Sequence, residues 1–230
     1  MKKMAPVETR DGSHTLFSER AGEHYHSLFG AVQESEHIFI RAGLDGYRKP
    51  VDELRVLEIG FGTGLNALLT RMWAEKNRQK VRYMGVEAFP LEEDTVAKLN
   101  YAGLLGFSED IFLKLHRATK QLEVSPFFTI RVLHKRFQDF FPENQTFNVV
   151  FFDAFSPESQ PEMWTEEGFT KLFHALTDGG VLVTYSCKGT VKRALKAAGF
   201  RIEKLPGPPG KREFLRAFAQ KTPRPLTSNF

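Results

Sequence analysis

A run of three glycines directly after a short apolar stretch constrains this chain more than any other feature. The residues at 56–59, VLEI, predict a short buried β-strand, and Gly60, Gly62 and Gly64 follow at alternate positions. From Leu65 the apolar pattern becomes that of a helix. Glycine permits the tight turn, because a Cβ would block it and would hold a ligand away from the backbone. Strand, glycine turn and helix N-terminus together predict the start of a βαβ nucleotide-binding unit.

The spacing of the glycines separates two kinds of nucleotide ligand. A dinucleotide-binding turn has the pattern G-x-G-x-x-G, whereas here the glycines run G-x-G-x-G behind an acid, Glu58. This pattern is similar to the E/D-x-G-x-G-x-G loop of class I methyltransferases that use S-adenosyl-L-methionine (SAM). SAM carries an ammonium and a sulfonium and no phosphate, so a carboxylate beside the turn suits it. A glycine turn that binds nothing is the structural alternative, which three glycines directly after a buried strand disfavour.

Composition bounds the class of protein. The chain has 230 residues, of which 41% are apolar, enough for one large α/β domain with an extension. No run approaches the ~18 apolar residues of a membrane helix, and the basic N-terminus lacks the apolar region of a signal peptide. Cys187 is the only cysteine, which fits a reducing compartment. We therefore expect a cytoplasmic protein without a membrane partner.

Positive charge is concentrated near the C-terminus, although the net charge is only +4. From Lys188 to Arg224 the chain has eleven Lys or Arg residues and two acids. A locally basic face suggests a phosphate-rich partner, while a solvated helix face with a basic tail gives the same pattern. Lys211 and Arg212 lie in a loop rich in Gly and Pro, where two cations suit RNA phosphates; an exposed pair can equally be only solvated.

Strand and helix patterns alternate from residue 56 onwards. Strands are predicted at 56–59, 81–86, 129–133, 147–152 and 181–185. Helical patterns cover 65–76, 91–100, 108–122, 165–176 and 190–198. The last two apolar runs, 200–205 and 213–219, flank the Gly/Pro-rich loop and pair most simply as an antiparallel hairpin. The prediction is a doubly wound, mostly parallel α/β sheet that ends in this hairpin.

Residues 1–53 do not show this alternation. Their apolar positions suit a strand or turn followed by an amphipathic helix. We interpret them as an N-terminal extension that covers the ligand cleft, with the Rossmann-like domain at 54–230. His24 and His26 are a candidate metal pair, but no cysteine or third ligand lies at a suitable spacing. A surface role is favoured for both histidines, and no metal is expected.

The residue that follows each predicted strand is a candidate for the site, because ligands lie beyond the carboxyl ends of strands in open parallel sheets. Glu87 follows the second strand, and a carboxylate there can accept hydrogen bonds from both ribose hydroxyls. Asp139 follows the third strand and can accept from an adenine amine, with Phe137 against the ring. An ordinary loop acid is the alternative for Glu87, and the end of the third strand is poorly defined by the sequence.

The loop after the fourth strand is the most distinctive in the chain and reads DAFSP from Asp153 to Pro157. A carboxylate at the centre of the cleft could accept a hydrogen bond from an amine, orient it and assist its loss of a proton. Phe155 and Pro157 would line the pocket and stack on a base. Trp164 could stack on a substrate or anchor a helix start, and by itself the core position is favoured. A helix-capping acid in a structural turn is the alternative for Asp153.

Together these motifs resemble the MnmC-like methyltransferase family. The similarity rests on EIGFGTGLN at 58–66, DAFSPESQPEMWT at 153–165 and GKREF at 210–214. An opening block at 18–39 extends the similarity over nearly the whole chain. The chain has no second glycine fingerprint, so it resembles the stand-alone form, without the fused flavin-dependent oxidase, and no flavin is expected.

The resemblance implies a class I, SAM-dependent fold and a function on transfer RNA. The implied reaction methylates the aminomethyl nitrogen of 5-aminomethyl-2-thiouridine at the wobble position, in the anticodon loop. The resemblance implies that Glu58, Gly60, Gly62 and Gly64 hold the methionine end of SAM, Glu87 the ribose and Asp139 the adenine. Phe61 and Asn66 are further candidate cofactor contacts. Asp153 would face the reacting amine. Candidate substrate contacts, from residue type and position, are Phe155, Pro157, Trp164, Lys211 and Arg212.

Other functions stay open at this point. A methyltransferase or aminopropyltransferase that acts on a small-molecule amine is the main alternative, and the basic C-terminal segment disfavours it. A non-catalytic RNA-binding module is disfavoured by the intact glycine loop and its flanking acids. A nicotinamide-dependent reductase is disfavoured by the glycine spacing.

Overall fold

The computed structural model describes residues 4–221, and it begins with a small antiparallel sheet. Its strands are β1 (Pro6–Glu8), β2 (His14–Ser18) and β3 (Glu23–His24). Helix α1 (Ala31–Ser35) follows and continues into a π-helical segment, Glu36–Leu44. The basic segment predicted at the C-terminus reaches Arg224, which lies outside the described residues.

A sheet of eight strands forms the centre of the molecule. The strands are β4 (Glu53–Ile59), β5 (Lys80–Glu87), β6 (Leu122–Ser125), β7 (Phe128–His134), β8 (Phe147–Phe152), β9 (Leu176–Thr184), β10 (Arg201–Pro206) and β11 (Glu213–Ala219). They lie in the order β10-β11-β9-β8-β4-β5-β7-β6. Strands β9, β8, β4, β5 and β7 are parallel to one another, and β11, β10 and β6 pair antiparallel. The chain order reverses between β4 and β8, so a crevice for a ligand is expected there.

Helices cover both faces of this sheet. They are α2 (Leu65–Asn77), α3 (Glu93–Val96), α4 (Tyr101–Leu104), α5 (Glu109–Arg117), α6 (Glu166–Ala175) and α7 (Gly189–Ala197). Side chains of β8 alternate between the two cores: Val149 and Phe151 share one cluster with the π-helical segment, whereas Val150 and Phe152 share the other with α6 and α7. Burial on both sides explains why this strand is a continuous apolar run.

The mostly parallel sheet and its terminal hairpin are confirmed. Strands β8 and β11 have the predicted bounds. The prediction of two helices over 91–122 is wrong in detail, because this region holds α3, α4, α5 and then strand β6 at the sheet edge. Ser108 caps α5 by accepting from the Ile111 N–H, and the helix ends five residues before Leu122. Short apolar runs do not by themselves distinguish a strand from a helix.

The N-terminal segment, residues 4–53, packs into the hydrophobic core beside the central sheet. Ile38 and Phe39 of the π-helical segment are buried in one cluster with Val149, Phe151 and Val183. The rings of Phe39 and Phe151 lie 5.3 Å apart. The division at residue 53 stays a prediction, and the hydrophobic core runs across it. No helix within residues 4–221 is both long enough and apolar enough to cross a bilayer.

Candidate active site

A cavity of about 690 Å³ opens at the carboxyl edge of the sheet, where the chain order reverses between β4 and β8. The glycine loop forms its floor, at 60–63. The loops after β5 and β7 form one wall, at 87–89 and 135–138, and the loop after β8 forms another, from residue 153. Residues of the N-terminal segment, between Ser18 and Ser35, form part of its lining.

Two glycines of the loop lie where a side chain would come too close to neighbouring residues. Gly60 has φ +90°, and a Cβ there would lie 2.5 Å from the Asp153 carbonyl oxygen. Gly62 has φ +50°, and a Cβ there would lie 3.1 Å from the ring of Tyr25. Both positions therefore exclude other residues, by conformation and by contact. The loop backbone therefore lies directly against Asp153 and Tyr25 at the start of α2.

Glu87 holds the glycine loop against strand β5. Its Oε2 accepts a hydrogen bond from the Gly62 N–H at 2.8 Å, and its Oε1 accepts from the Phe89 N–H at 2.9 Å. A carboxylate has about four lone-pair sites, so both oxygens can accept further bonds from a ligand. The structure thus brings the acid after β5 and the glycine loop to one edge of the cavity.

Asn66 links the acid that precedes the glycine loop to the acid that follows β8. Its Nδ2 donates to Glu58 Oε1 at 2.8 Å and to Asp153 Oδ2 at 2.9 Å. The second oxygen of Glu58 accepts from the Tyr83 hydroxyl at 2.7 Å. Burial raises the pKa of Glu58 well above its usual range, against the lowering effect of these hydrogen bonds. A buried polar chain therefore runs from the core to the cavity.

Asp153 has the electrostatics of a base that works near neutral pH. Burial, and then the negative charge of Glu34, raise its pKa to about 7. The hydrogen bond from Asn66 and the positive charge of Lys211 oppose this rise. Such a carboxyl exchanges a proton readily at neutral pH, which is the property of a general base.

Lys211 reaches the cavity from the hairpin loop between β10 and β11. Its Nζ forms an ion pair with Glu34 and lies 4.3 Å from the ring centre of Tyr185. Glu34 is buried and also accepts from the Ser27 N–H at 2.8 Å. The Tyr185 hydroxyl donates to the Ala154 carbonyl oxygen at 3.0 Å. The N-terminal segment and the hairpin loop therefore meet beside Asp153.

The loop after β8 is held by the N-terminal segment and by Trp164. Glu23 accepts from the Ser156 N–H at 3.1 Å and from the hydroxyls of Ser156 and Ser159. The rings of Tyr25 and Phe155 meet edge to face at 4.9 Å. The indole N–H of Trp164 donates to the Phe155 carbonyl oxygen at 2.8 Å. The loop is thus fixed at three points around the cavity.

The structure brings together most of the residues that the sequence predicts for the site. Those that line the cavity are Gly60, Phe61, Gly62, Asn66, Glu87, Asp153, Phe155 and Lys211. Other described residues from the prediction lie outside the lining: Glu58, Gly64, Asp139, Pro157, Trp164 and Arg212.

Local structure accounts for most of these outlying positions, and Pro157 is half-buried in the loop after β8. Glu58 is buried beneath Asn66, and Gly64 is the N-terminal cap of α2. Asp139 is exposed at the end of a short 3₁₀ turn, Phe137–Asp139, and Phe137 and Gln138 line the cavity instead. Trp164 is buried, with its ring 4.9 Å from that of Phe152. Arg212 is exposed.

Cavity residues that the sequence does not single out include Glu23, Tyr25, Glu34 and Tyr185. Three of them lie in the N-terminal segment, whose path across the sheet no periodicity indicates. Tyr185 directly follows β9, so the rule that selected Glu87 and Asp153 could have found it. His24 and His26 also line the cavity, and residues 4–221 contain no group of three or more side chains suited to a metal ion.

The fold, the glycine loop and the acids after the strands define a Rossmann-like methyltransferase of class I. A family model described as S-adenosyl-L-methionine-dependent methyltransferase matches residues 107–220. The bifunctional protein MnmC of tRNA 5-methylaminomethyl-2-thiouridine biosynthesis is similar: that of Nitrosospira multiformis is 30% identical over 87% of this chain and 35% of its own length. That of Aromatoleum aromaticum is 31% identical over 90% of this chain and 34% of its own.

Solved structures agree with this assignment. The crystal structure of MNMC2 from Aquifex aeolicus is 28% identical and superposes with a TM-score of 0.75, over 96% of this chain and 72% of that one. A spermidine synthase structure, 16% identical with a TM-score of 0.53 over 96% of this chain and 73% of that one, shares the fold. The chain is thus similar in sequence and fold to SAM-dependent methyltransferases, among them these MnmC relatives. It spans about a third of the length of the curated relatives it matches.

Proposed function

We propose that this chain transfers a methyl group from SAM to the aminomethyl nitrogen of 5-aminomethyl-2-thiouridine at the wobble position of tRNA, in the cytoplasm. The observation that carries the proposal is the position of Asp153. It lies beside the glycine loop, where the chain order reverses, and burial raises its pKa to about 7. A methyltransferase that acts on an amine needs a proton acceptor at this place.

The cavity suits SAM in two respects. Gly60 and Gly62 line the cavity with backbone alone, and their lack of a Cβ lets the loop lie close to Asp153 and Tyr25. Asn66 Oδ1 is a buried acceptor without a partner among residues 4–221, which suits a cationic donor group. In this proposal the glycine loop holds the methionine end, Glu87 the ribose, and Phe137 with Gln138 the adenine, with Asp139 further out.

The residues of the cavity prepare an amine for attack. An aminomethyl group is mostly protonated near neutral pH and then has no free lone pair. Asp153, when ionised, accepts one proton from it and leaves a neutral amine. SAM, when bound, supplies a methyl group that leaves its sulfonium sulfur as the nitrogen–carbon bond forms. Tyr25 and Phe155 enclose the site, excluding water and offering faces for a planar base.

The basic surface beside the cavity suits RNA. Lys188 lines the cavity and directly precedes α7, on which Lys192, Arg193 and Lys196 follow. A wobble base lies in a single-stranded loop, where it can be turned out of the stack and enclosed. Phosphates on either side would then meet the cations of α7. The names of the MnmC relatives, which place those proteins in tRNA modification, support the same substrate.

A methyl-transfer assay tests the proposal directly. The purified chain is incubated with methyl-labelled SAM and one of three acceptors: tRNA with 5-aminomethyl-2-thiouridine, the same tRNA unmodified, or putrescine. We expect label only in the modified tRNA, recovered by mass spectrometry as the 5-methylaminomethyl nucleoside. Label in putrescine without RNA would favour a small-molecule amine methyltransferase. No transfer to the modified tRNA by a folded, SAM-binding protein would reject the proposal.

A further inference from the structure

The side-chain amide of Asn66 is hydrogen-bonded through its nitrogen but not, within residues 4–221, through its oxygen. It lies in the first turn of α2 and is 3% exposed. Its two amide hydrogens are both donated, to Glu58 Oε1 at 2.8 Å and to Asp153 Oδ2 at 2.9 Å. Its carbonyl oxygen is buried and has no partner among residues 4–221. Buried acceptors in native proteins almost always have a donor, so this oxygen indicates a ligand.

The surroundings of that oxygen select the chemistry of the donor. Asn66 lines the cavity, next to the glycine loop. Glu58 and Asp153, both acids, lie on the other side of the same amide group. A free carbonyl oxygen, with the ionisable Asp153 on the same amide group, favours a cationic group with N–H donors. An α-ammonium, as on the amino-acid part of the methyl donor, satisfies both requirements.

We propose that Asn66 is a positioning residue that connects the methyl donor to the base. Its Oδ1 accepts a hydrogen bond from the donor's α-ammonium, and its Nδ2 holds Asp153 Oδ2, which leaves Asp153 Oδ1 for the acceptor amine. The contact with the α-ammonium requires only that the protein binds the methyl donor. The role of the Asp153 contact rests on the proposed function. One side chain thereby orients both reactants of the transfer.

The link also controls the proton affinity of the base. The groups that face Asp153 are Asn66 on α2, Glu58 on β4, Glu34 on α1, Tyr185 after β9 and Lys211 in the hairpin loop. Burial and the charge of Glu34 favour the protonated acid, whereas Asn66 and Lys211 favour the carboxylate. Loss of the Asn66 bond therefore raises the pKa of Asp153 further, and fewer molecules carry an active base at pH 7.

Two substitutions separate the two halves of the side chain. Asn66→Ala removes both the acceptor and the donors. Asn66→Asp keeps an acceptor oxygen for the ammonium but cannot donate to Asp153. A control is Asn148→Ala, because Asn148 is also buried and its amide donates to Tyr47 and Thr177, away from the cavity. The control has a similar loss of buried hydrogen bonds without a contact at the site.

Calorimetry tests the contact between Asn66 and the α-ammonium. It compares two ligands, S-adenosyl-L-homocysteine and its analogue without the amino group. For Asn66→Ala we expect roughly ten- to hundredfold weaker binding of the first ligand, the loss of one charge-assisted hydrogen bond. Binding of the deaminated analogue should change less than about twofold. Asn148→Ala should bind both ligands as the wild type does, within about threefold, whereas Asn66→Asp, which keeps an acceptor oxygen, should lose less affinity for S-adenosyl-L-homocysteine than Asn66→Ala does. Equal losses for both ligands in Asn66→Ala would overturn the ammonium contact.

The pH profile of methyl transfer tests the effect of the Asn66 hydrogen bond on Asp153. In both Asn66 variants the acidic limb of kcat should move to higher pH, with activity recovered at pH 9, and Asn148→Ala should keep the wild-type limb. A uniform loss of rate without a shift would show that Asn66 is only structural, and would overturn the link to Asp153. If the wild type binds S-adenosyl-L-homocysteine but methylates no tRNA, the proposed function fails while the binding comparison still decides the ammonium contact.

Discussion

Lys211 and Glu34 form an ion pair across 177 positions of sequence, and they do so beside Asp153. The pair joins the loop of the terminal hairpin to helix α1. Glu34 is buried, so its charge acts on Asp153 through a medium that screens it poorly. Lys211 offsets that charge. The final hairpin and the N-terminal segment thus determine the proton affinity of an acid on the central sheet.

Replacing Lys211 should lower both activity and stability. In Lys211→Met the apolar stem stays, but Glu34 and Asp153 lose their nearby cation. The pKa of Asp153 should rise, so kcat at pH 7 falls several-fold and recovers at pH 9. The free energy of unfolding should drop by about 2–3 kcal/mol, below the usual cost of breaking a fully buried pair because the Lys211 side chain is 26% exposed.

The matched control lies on the same hairpin. Lys204 pairs with Glu213 at 3.1 Å on the exposed surface, so Lys204→Met should cost less than about 1 kcal/mol and leave the pH profile unchanged. Urea unfolding and kcat as a function of pH measure both variants. Equal behaviour of the two would mean that the Lys211–Glu34 pair has no special effect on Asp153.

The rate of methyl transfer should depend on the ionisation of Asp153. Its pKa is raised to about 7, and only the carboxylate can accept a proton. Below pH 7, kcat/KM, which reports the ionisation of the free enzyme, should therefore fall about tenfold per pH unit, and above pH 7 the effect of Asp153 should level off. Asp153→Asn should reduce kcat by roughly 10²–10⁴-fold while S-adenosyl-L-homocysteine still binds. Retention of normal turnover by Asp153→Asn would assign Asp153 a structural role.

A side chain at position 62 should abolish binding of the methyl donor. Gly62→Val places a β-branched residue at φ +50° and directs its Cβ toward Tyr25 at 3.1 Å. We expect more than about a hundredfold loss of affinity for S-adenosyl-L-homocysteine by calorimetry. The control is Gly103→Ala in α4, where a Cβ meets nothing within 4 Å. Gly103→Ala should keep full affinity. Unchanged affinity in Gly62→Val would show that the donor does not bind at this loop.

Trp164 should contribute to stability rather than to recognition of substrate. Its ring packs on Phe152 and its N–H donates to the Phe155 carbonyl oxygen. Trp164→Phe keeps an aromatic ring and loses that hydrogen bond, so we expect a loss of about 1–2 kcal/mol in the free energy of unfolding. The KM for tRNA should change little once the variant is assayed well below its melting temperature. A large rise in KM without a loss of stability would instead support a contact between Trp164 and the substrate.

The sequence predicts the part of the site that lies on the central strands. Glu87 and Asp153 each follow a buried apolar run, and parallel strands bring their carboxyl ends to one edge. The glycine spacing fixes the turn beside them. These features are local in sequence, so their positions follow from periodicity and turn chemistry.

The remaining part depends on contacts between distant segments, which periodicity does not encode. Glu34 and Tyr25 reach the cavity only because the N-terminal segment packs on the sheet through Phe39 and its neighbours. Asp139 fails to line the cavity because a 3₁₀ turn after β7 presents Gln138 there instead. Lys211 was predicted as an RNA contact on a loop, and its pairing with Glu34 depends on how the hairpin folds back.

A crystal structure with S-adenosyl-L-homocysteine tests the central claim most directly. The account predicts the ligand along the glycine loop, with its ribose hydroxyls on Glu87 and its ammonium on Asn66 Oδ1. Its sulfur should face Asp153 across a gap that admits one methyl group and one amine nitrogen, with reacting atoms about 3–3.5 Å apart. A ligand bound elsewhere, or a sulfur turned away from Asp153, would contradict the account.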